Sequence, residues 1–157
     1  MGVKIKVATI DNLKDIQLLN KKLFEEEYNK YDKTIDCNWP LSKEGEEFYR
    51  ERITDSKGCA YVLSEDSKII GYLVASLSED EFYRNINNFA ELDDMFILKE
   101  YRNKGYGSLL YTKFIEWCKS KDVKRLKVLV TAKNKQAIQF YKRKGFEDYN
   151  VTLEMDL

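Results

Sequence analysis

The chain contains no histidine. That absence excludes Ser-His-Asp and Cys-His catalysis, H-E-x-x-H zinc chemistry and imidazole acid catalysis. Proton transfer is left to carboxylates, phenols, amines, thiols or water. Proline occurs once and glycine seven times in 157 residues, so a collagen-like or low-complexity protein is excluded. The three cysteines, Cys37, Cys59 and Cys118, are odd in number and far apart, with no C-x-x-C pair. They read as reduced thiols, not as a disulfide framework or a zinc site, and no metal is expected. No apolar run approaches the ~18 residues of a membrane span. The opening MGVKIKVATIDNL has neither the apolar region nor the cleavage site of a signal peptide. The expectation is a soluble, cytoplasmic protein with no membrane partner. What is present, 43% hydrophobic and 34% charged residues, suits one domain over 1–157 with its own core.

Net charge is zero, but it is unevenly distributed. Residues 98–145 hold fourteen Lys or Arg against Glu100, Glu116 and Asp122, a net of +11, and the remainder carries −11. A basic half suits an anionic ligand and an acidic half a cationic one. Charges on a helix face are also simply solvated, so the skew alone names no partner.

Hydrophobic periodicity divides the chain into ten elements. Residues 3–8 alternate as a half-buried strand. Asp11 offers a cap to a helix with Leu13, Ile16, Leu19 and Leu23 on one face. Ser42 and Gly45 open a weaker helix to about Ile53. Strands follow at 59–64 and 68–77, joined by Glu65-Asp66-Ser67, and at 89–97. A helix over 106–121 aligns Leu110, Phe114, Trp117 and Cys118, and a short strand runs from Arg125 to Thr131. Asn134 caps a last helix that ends at Gly145, and a final strand is expected over 146–156. The order is β-α-α-β-β-β-α-β-α-β. It predicts an α+β (mixed α/β) fold with helices on a largely antiparallel sheet.

The stretch most informative about chemistry is Arg102-Asn103-Lys104-Gly105-Tyr106-Gly107, between a strand and a strongly patterned helix. Two glycines let the backbone turn tightly and approach a ligand. The helix behind them presents free N–H groups and a positive dipole end, a seat for pyrophosphate. Arg102 and Lys104 add charge beside it. A P-loop is excluded because no Lys-Ser or Lys-Thr follows the second glycine, and a Rossmann fingerprint because Leu110 stands where the third glycine belongs.

R-x-x-G-x-G after an acidic, apolar strand resembles the acetyl-CoA signature of the GNAT superfamily of N-acetyltransferases. The segment from Asn134 through Ala137, Phe140, Tyr141 and Gly145 to Phe146 is similar to that family's second motif, at the expected separation of about thirty residues. The close resemblance covers roughly 90–146. It implies a GNAT-like fold with a splayed parallel strand pair, and acetyl-CoA as co-substrate. The amides of Arg102, Asn103, Lys104, Gly105, Tyr106, Gly107 and Ser108 would hold the pyrophosphate. Met95, Phe96 and Ile97 would pair with the pantetheine arm as an added strand, with the Ile97 amide polarising the thioester oxygen. Asn134 matches a position beside that arm, although it also reads as a plain helix cap.

The resemblance also implies catalytic roles. Tyr141 matches the residue that protonates the departing thiolate in many members, and a phenol of pKa ~10 is a sensible donor to a thiolate whose conjugate acid lies near ~8.5. An amine acceptor of pKa ~10.4 is almost wholly protonated at pH 7, so a carboxylate must take its proton, directly or through water. Glu91 stands where some protein-acetylating members carry a base, and Asp94 where small-amine branches carry an acid. Strand alternation sends Glu91 and Asp93 to one face and Asp94 to the other. Leu129 replaces a glutamate common in members that acetylate N-terminal peptides.

These residues predict an N-acetyltransferase acting by direct attack, without an acyl-enzyme. The acceptor is a primary amine: a polyamine, an aminoglycoside-like molecule, or the lysine or N-terminal amine of a peptide. Acidic groups at Glu25, Glu26, Glu27, Glu44, Glu46, Glu47 and Glu79-Asp80-Glu81 would border the acceptor cleft, with Tyr28, Tyr31, Trp39 and Tyr83 nearby. The alternative is a non-catalytic CoA-binding regulatory or interaction module. No nucleic-acid motif accompanies the basic half, so nucleic acid is not an expected partner. A homodimer is left open.

Overall fold

The computed structural model describes residues 2–157. Strand β1 (Val3–Val7) is followed by a short 3-10 turn and by α1 (Leu13–Lys30). The turn is organised by Asn12, whose Oδ1 accepts the Thr9 N–H at 3.0 Å, and not by Asp11. A second 3-10 turn (Trp39–Leu41) leads into α2 (Lys43–Thr54), capped by Ser42, whose Oγ accepts the Gly45 N–H at 3.1 Å. Then come β2 (Gly58–Glu65), β3 (Lys68–Ser78), β4 (Phe89–Ile97), α3 (Tyr106–Ser120), β5 (Arg125–Val128) and α4 (Lys135–Arg143).

The five strands lie in the order β1-β2-β3-β4-β5, all pairs antiparallel except β4 with β5. The parallel pair is short. Phe89 to Leu92 lie beside Arg125 to Val128, after which β4 runs on to Ile97 without a neighbour on that side. The strands therefore part, as the expected splay requires.

Opposite faces of the sheet carry different helices. Tyr72 meets Asn20 of α1, and its neighbour in register on β2, Val62, is fully buried on the same side. Tyr61, one residue out of phase, feels Glu116 and Cys118 of α3 instead. Ile16, Leu19 and Tyr49 fill one layer, and Leu63, Leu73, Leu110 and Phe114 the other. Cys59 on β2 and Cys118 on α3 are free and buried. Burial pushes both thiols up, Cys118 to about 12.

One expected element is missing. Residues 146–156 alternate as a strand should, yet none forms after α4. A strand needs a neighbour to pair with, and this segment lies beside no strand of its own chain.

Gly45 fixes how α2 is seated. A Cβ there would stand 2.3 Å from the Trp39 carbonyl oxygen and 2.8 Å from that of Pro40, and backbone cannot yield as a side chain can. Gly45→Ala is expected to cost about 1–3 kcal/mol, lowering the thermal midpoint by about 6 °C for a chain of this size. Gly107→Ala, whose Cβ meets nothing closer than 3.6 Å, is the control. Equal midpoints for the two variants in a calorimetric scan would show that α2 does not depend on this contact.

Candidate active site

The site is built where β4 leaves β5. Between Leu92 and Asp94 the register with β3 slips. Leu92 faces Ala75 and Asp94 faces Val74, so Asp93 is an extra residue, a β-bulge. The slip reverses the parity of the strand. Glu91 lies opposite Ser76 and Asp94 opposite Val74, two residues apart on β3 and hence on one face. Strand alternation had separated these carboxylates, and the bulge brings them to the same side. Asp93 follows, bonding Arg52 of α2 at 2.6 Å, while Tyr49 of the same helix reaches Asp94.

Asp94 is the most enclosed acid of the three. Its Oδ2 accepts hydrogen bonds from the Tyr72 hydroxyl, from Tyr49 Oη at 3.0 Å and from Asn20 Nδ2 at 3.0 Å. Its Oδ1 receives only the longer Tyr49 contact at 3.4 Å and so keeps accepting capacity. Burial raises this carboxyl to about 7, against the lowering effect of the two tyrosine hydrogen bonds. Both phenols are pushed up by burial first and by the Asp94 charge second. Glu91 is less enclosed, with Lys127 Nζ at 3.7 Å. Tyr72, Tyr49 and Asn20 were not singled out from the sequence. Asn20 could have been, as a polar residue four positions after Ile16 on the apolar face of α1.

Tyr141 arrives from the other side of the gap. It is buried among Phe140 and Phe146, with ring centroids 5.2 and 5.5 Å away. Burial raises its phenol, and the Asp94 charge raises it further, so the two groups share one electrostatic environment. The sequence placed them forty-seven residues apart; the splay brings them together.

The main chain of β4 offers alternate residues to the gap. Leu98 N–H donates to Ile70 O at 2.9 Å, so the next pair, Ile97 opposite Gly71, is not hydrogen-bonded across the ladder. By the same alternation Met95 and Ile97 turn their amides away from β3, whereas Phe96 directs its own toward Tyr72. The expected pairing run of Met95, Phe96 and Ile97 thus reduces to Met95 and Ile97. The Ile97 carbonyl is already taken by Arg102 Nε at 2.7 Å, leaving its N–H.

The turn before α3 has the geometry of an anion seat. Asn103 and Gly105 are left-handed, φ 64° and 81°. The first helical bond of α3 runs from Leu109 N–H to Gly105 O, so the amides of Tyr106, Gly107 and Ser108 have no partner within the helix. A Cβ on Gly107 would project into the space between the Phe140 ring and Ile97, which its absence keeps open. An extended arm ending in pyrophosphate fits these features. The Arg102 side chain has partners within the chain. Its guanidinium bonds Glu26 at 2.9 Å and lies over Phe96 at 5.0 Å, tying the turn to α1. Cationic charge at the seat comes instead from Lys104, over the Tyr101 ring, and from Lys144, whose Nζ donates to Ser108 Oγ at 3.0 Å. Asn134 accepts the Ala137 N–H at 3.1 Å as a helix cap.

The expected acidic border is narrower than the sequence suggested. Glu46 and Glu47 pair with Arg50 and Lys43 along α2. Asp80 accepts the Asn88 N–H, and Glu81 meets Arg84 and Lys127. Glu27 differs: burial and the charges of Asp32 and Glu26 raise its carboxyl, so a cation beside it would be stabilised.

Asp94 makes stability depend on pH. Its folded pKa is about 7 against 3.8 for the free group, so the folded state binds the extra proton between these values. Stability from this group is complete below about pH 4 and lost as pH rises through about 7. The span is on the order of 4 kcal/mol. Urea midpoints of Asp94→Asn should lack this fall relative to the parent chain. Parallel pH profiles for the two proteins would place Asp94 in water.

Comparison with known proteins agrees with this geometry. The model of the Acetyltransferase (GNAT) family matches residues 14–146. An uncharacterized N-acetyltransferase of Methanocaldococcus jannaschii is 31% identical over 93 residues, 58% of this chain and 40% of that protein. A putative [ribosomal protein bS18]-alanine N-acetyltransferase of Bacillus subtilis is 28% identical over 100 residues, 64% of this chain and 61% of that one. The chain thus spans less than two thirds of the length of these relatives. Among solved structures, the aminoglycoside acetyltransferase AAC(6')-Iy, in complex with a bisubstrate analogue, covers 100% of this chain and 99% of its own with a TM-score of 0.78 at 16% identity, which speaks for the fold. With the family match running through both glycine turn and Tyr141, the chain belongs to the GNAT family of acetyltransferases.

Proposed function

We propose that the protein is an acetyl-CoA-dependent N-acetyltransferase whose acceptor is a small cationic primary amine, with Asp94 as general base and Tyr141 as general acid. The observation that carries this reading is the Asp94 carboxyl, raised to about 7 and electrostatically joined to Tyr141 where the two strands part. A base poised near the working pH is best matched to its task.

Acetyl-CoA, when bound, supplies a thioester. Residues 103–108 would hold its pyrophosphate through main-chain amides, with Lys104 and Lys144 alongside. The Ile97 N–H, left free while Arg102 occupies the carbonyl, is the donor available to a developing negative oxygen. Asp94 takes one proton from the ammonium group, and the freed nitrogen bonds to the acetyl carbon. Tyr141 gives its proton to sulfur as the carbon–sulfur bond breaks, and the second proton that nitrogen loses restores the phenol. The two transfers help one another. Once Asp94 is protonated its charge no longer raises Tyr141, and the phenol becomes a better acid at the moment a thiolate needs a proton. Cys59 and Cys118, buried and held protonated, are unsuited to an acyl-enzyme.

A cationic acceptor is supported by two carboxyls whose burial would be relieved by a neighbouring cation, Glu27 and Asp94. The similar Bacillus subtilis protein is a putative ribosomal-protein alanine N-acetyltransferase, and the similar aminoglycoside acetyltransferase was solved with a bisubstrate analogue of neamine, so both point to amines. Thiol release from acetyl-CoA against a panel of mono-, di- and polyamines, aminoglycosides and peptides tests the reading. Turnover should favour molecules with a second cation. An absence of turnover with every amine would instead favour a CoA-binding module without chemistry.

Three substitutions separate the roles. Gly107→Val should weaken CoA binding at least about tenfold in calorimetry with native circular dichroism, since the branch occupies the arm's path. Tyr141→Phe should lower kcat by ~10²–10⁴ with little change in the KM for acetyl-CoA. In the parent enzyme kcat/KM should rise with pH through about 7, because only ionised Asp94 accepts a proton. Asp94→Asn should abolish that limb, whereas Glu91→Gln should keep it. A limb that vanishes with Glu91 and survives loss of Asp94 would transfer the base role to Glu91.

A further inference from the structure

Asn20 interrupts the apolar stripe of α1. Ile16 stands one turn before it and Phe24 one turn after, and Asn20 is as fully buried as Ile16. Its surroundings dictate which way the amide faces. The Tyr72 hydroxyl has one hydrogen and gives it to Asp94 Oδ2, so only an N–H can meet the Tyr72 oxygen, and an ionised carboxylate only accepts. Asn20 Nδ2 serves both, at 2.9 Å to Tyr72 Oη and 3.0 Å to Asp94 Oδ2. The amide oxygen on the other side is buried and has no hydrogen-bond partner. The other two buried amides nearby use theirs differently. Gln17 Nε2 donates to Pro40 O at 2.8 Å, and Asn12 Oδ1 accepts the Thr9 N–H.

A buried amide with an orphaned oxygen costs stability that an apolar residue would not. Leucine would continue the stripe. What the amide does for the site lies in its two N–H groups. One fills a lone pair of Tyr72 Oη, so the hydroxyl, otherwise a free rotor, points at Asp94 and becomes a stronger donor. The other bonds Oδ2 directly. With Tyr49 Oη at 3.0 Å, Oδ2 has three donors, whereas Oδ1 has only the 3.4 Å share of Tyr49. Asn20, Tyr72 and Tyr49 are 0%, 0% and 2% exposed, while Asp94 is only partly covered. The uncovered side of the carboxyl is therefore the Oδ1 side.

We propose, resting on Asp94 as the base, that Asn20 is a positioning residue for proton transfer: it holds the Tyr72 hydroxyl and one N–H of its own on Oδ2 and so reserves Oδ1 for the proton that the acceptor gives up. Asn20 is too deeply buried to touch an acceptor and acts through Tyr72 and Asp94. The titratable and charged groups that face Asp94 are Tyr49 and Arg52 of α2, Tyr72 of β3, its neighbour Asp93 on β4, and Tyr141 of α4. Asn20 is neutral at every pH, and Tyr72 is held neutral by burial. Replacing either removes a hydrogen bond to Asp94 and leaves the surrounding charge as it was. Loss of a donor to the ionised form raises a carboxyl.

Titration of the Asp94 carboxyl carbon by nuclear magnetic resonance reads the effect without turnover. In the parent chain the midpoint is about 7. Asn20→Leu should move it about one pH unit higher, since a hydrogen bond to a charged group is worth roughly tenfold or more, and should keep or raise the thermal midpoint. Asn20→Ala, which leaves space in place of bulk, should shift it the same way. The kcat/KM limb should follow, about tenfold lower at pH 6 and restored at pH 9, with the KM for acetyl-CoA unchanged. Tyr72→Phe should also raise the carboxyl, and the double variant with Asn20→Leu by less than the sum, because Asn20 acts partly through Tyr72. An Asp94 midpoint that stays at the parent value in both Asn20 variants would overturn the proposal, and a loss of thermal stability alongside it would make Asn20 a structural residue only. Strictly additive shifts would overturn it too. A carboxyl that shifts while the kcat/KM limb stays in place would instead sink Asp94 as the base, so the two readings fail by different measurements.

Discussion

One inserted residue governs the site. Were β4 regular, Glu91 and Asp94 would lie on opposite faces, with one of them packed against α3. The bulge at Asp93 shifts the strand by one residue against β3 and turns Glu91, Asp93 and Asp94 toward α1 and α2. It also lets the end of β4 diverge from β5, since a kinked strand cannot keep a straight parallel ladder. The gap for an extended ligand and the acid that faces it thus have one cause.

The electrostatics then follow from enclosure. A carboxylate among two phenols and an amide is stabilised by their hydrogen bonds, but exclusion of water acts more strongly in the other direction and leaves it near neutrality. Tyr49 and Tyr72 are rigidly packed, 6.3 Å between centroids and nearly perpendicular, so these bonds are held in place before any ligand arrives. On the far side Tyr141 experiences the same charge without a hydrogen bond to it in this state. The two groups act on each other through a field and not through a direct hydrogen bond.

Much of this was legible in the sequence. Periodicity located β4, α3 and α4 nearly to the residue, because each has a strong apolar stripe and a clear cap. The glycine turn and the Asn134 to Phe146 segment pointed to the correct family. The bulge was not legible. Glu-Leu-Asp-Asp-Met reads as a plain alternation broken by one acid, and only pairing with Val74 and Ala75 reveals which residue is extra. The partner of the Arg102 side chain was not legible for a similar reason. Its guanidinium bonds Glu26, seventy-six positions away, a contact that local pattern does not encode. The last strand was expected because its alternation is real; alternation alone supplies no neighbour to pair with.

The buried thiols have a consequence for the redox chemistry of the protein. On the proposed function, coenzyme A leaves at each turnover, and the protein's surface then meets a thiol, and that thiol's disulfide under oxidising conditions. Mixed-disulfide formation requires a thiolate that the disulfide can reach. Cys59 and Cys118 lie inside the core with their ionisation suppressed. They are protected from capture by the oxidised product. Cys37, between α1 and α2, is only partly covered and is the thiol that such a disulfide could reach.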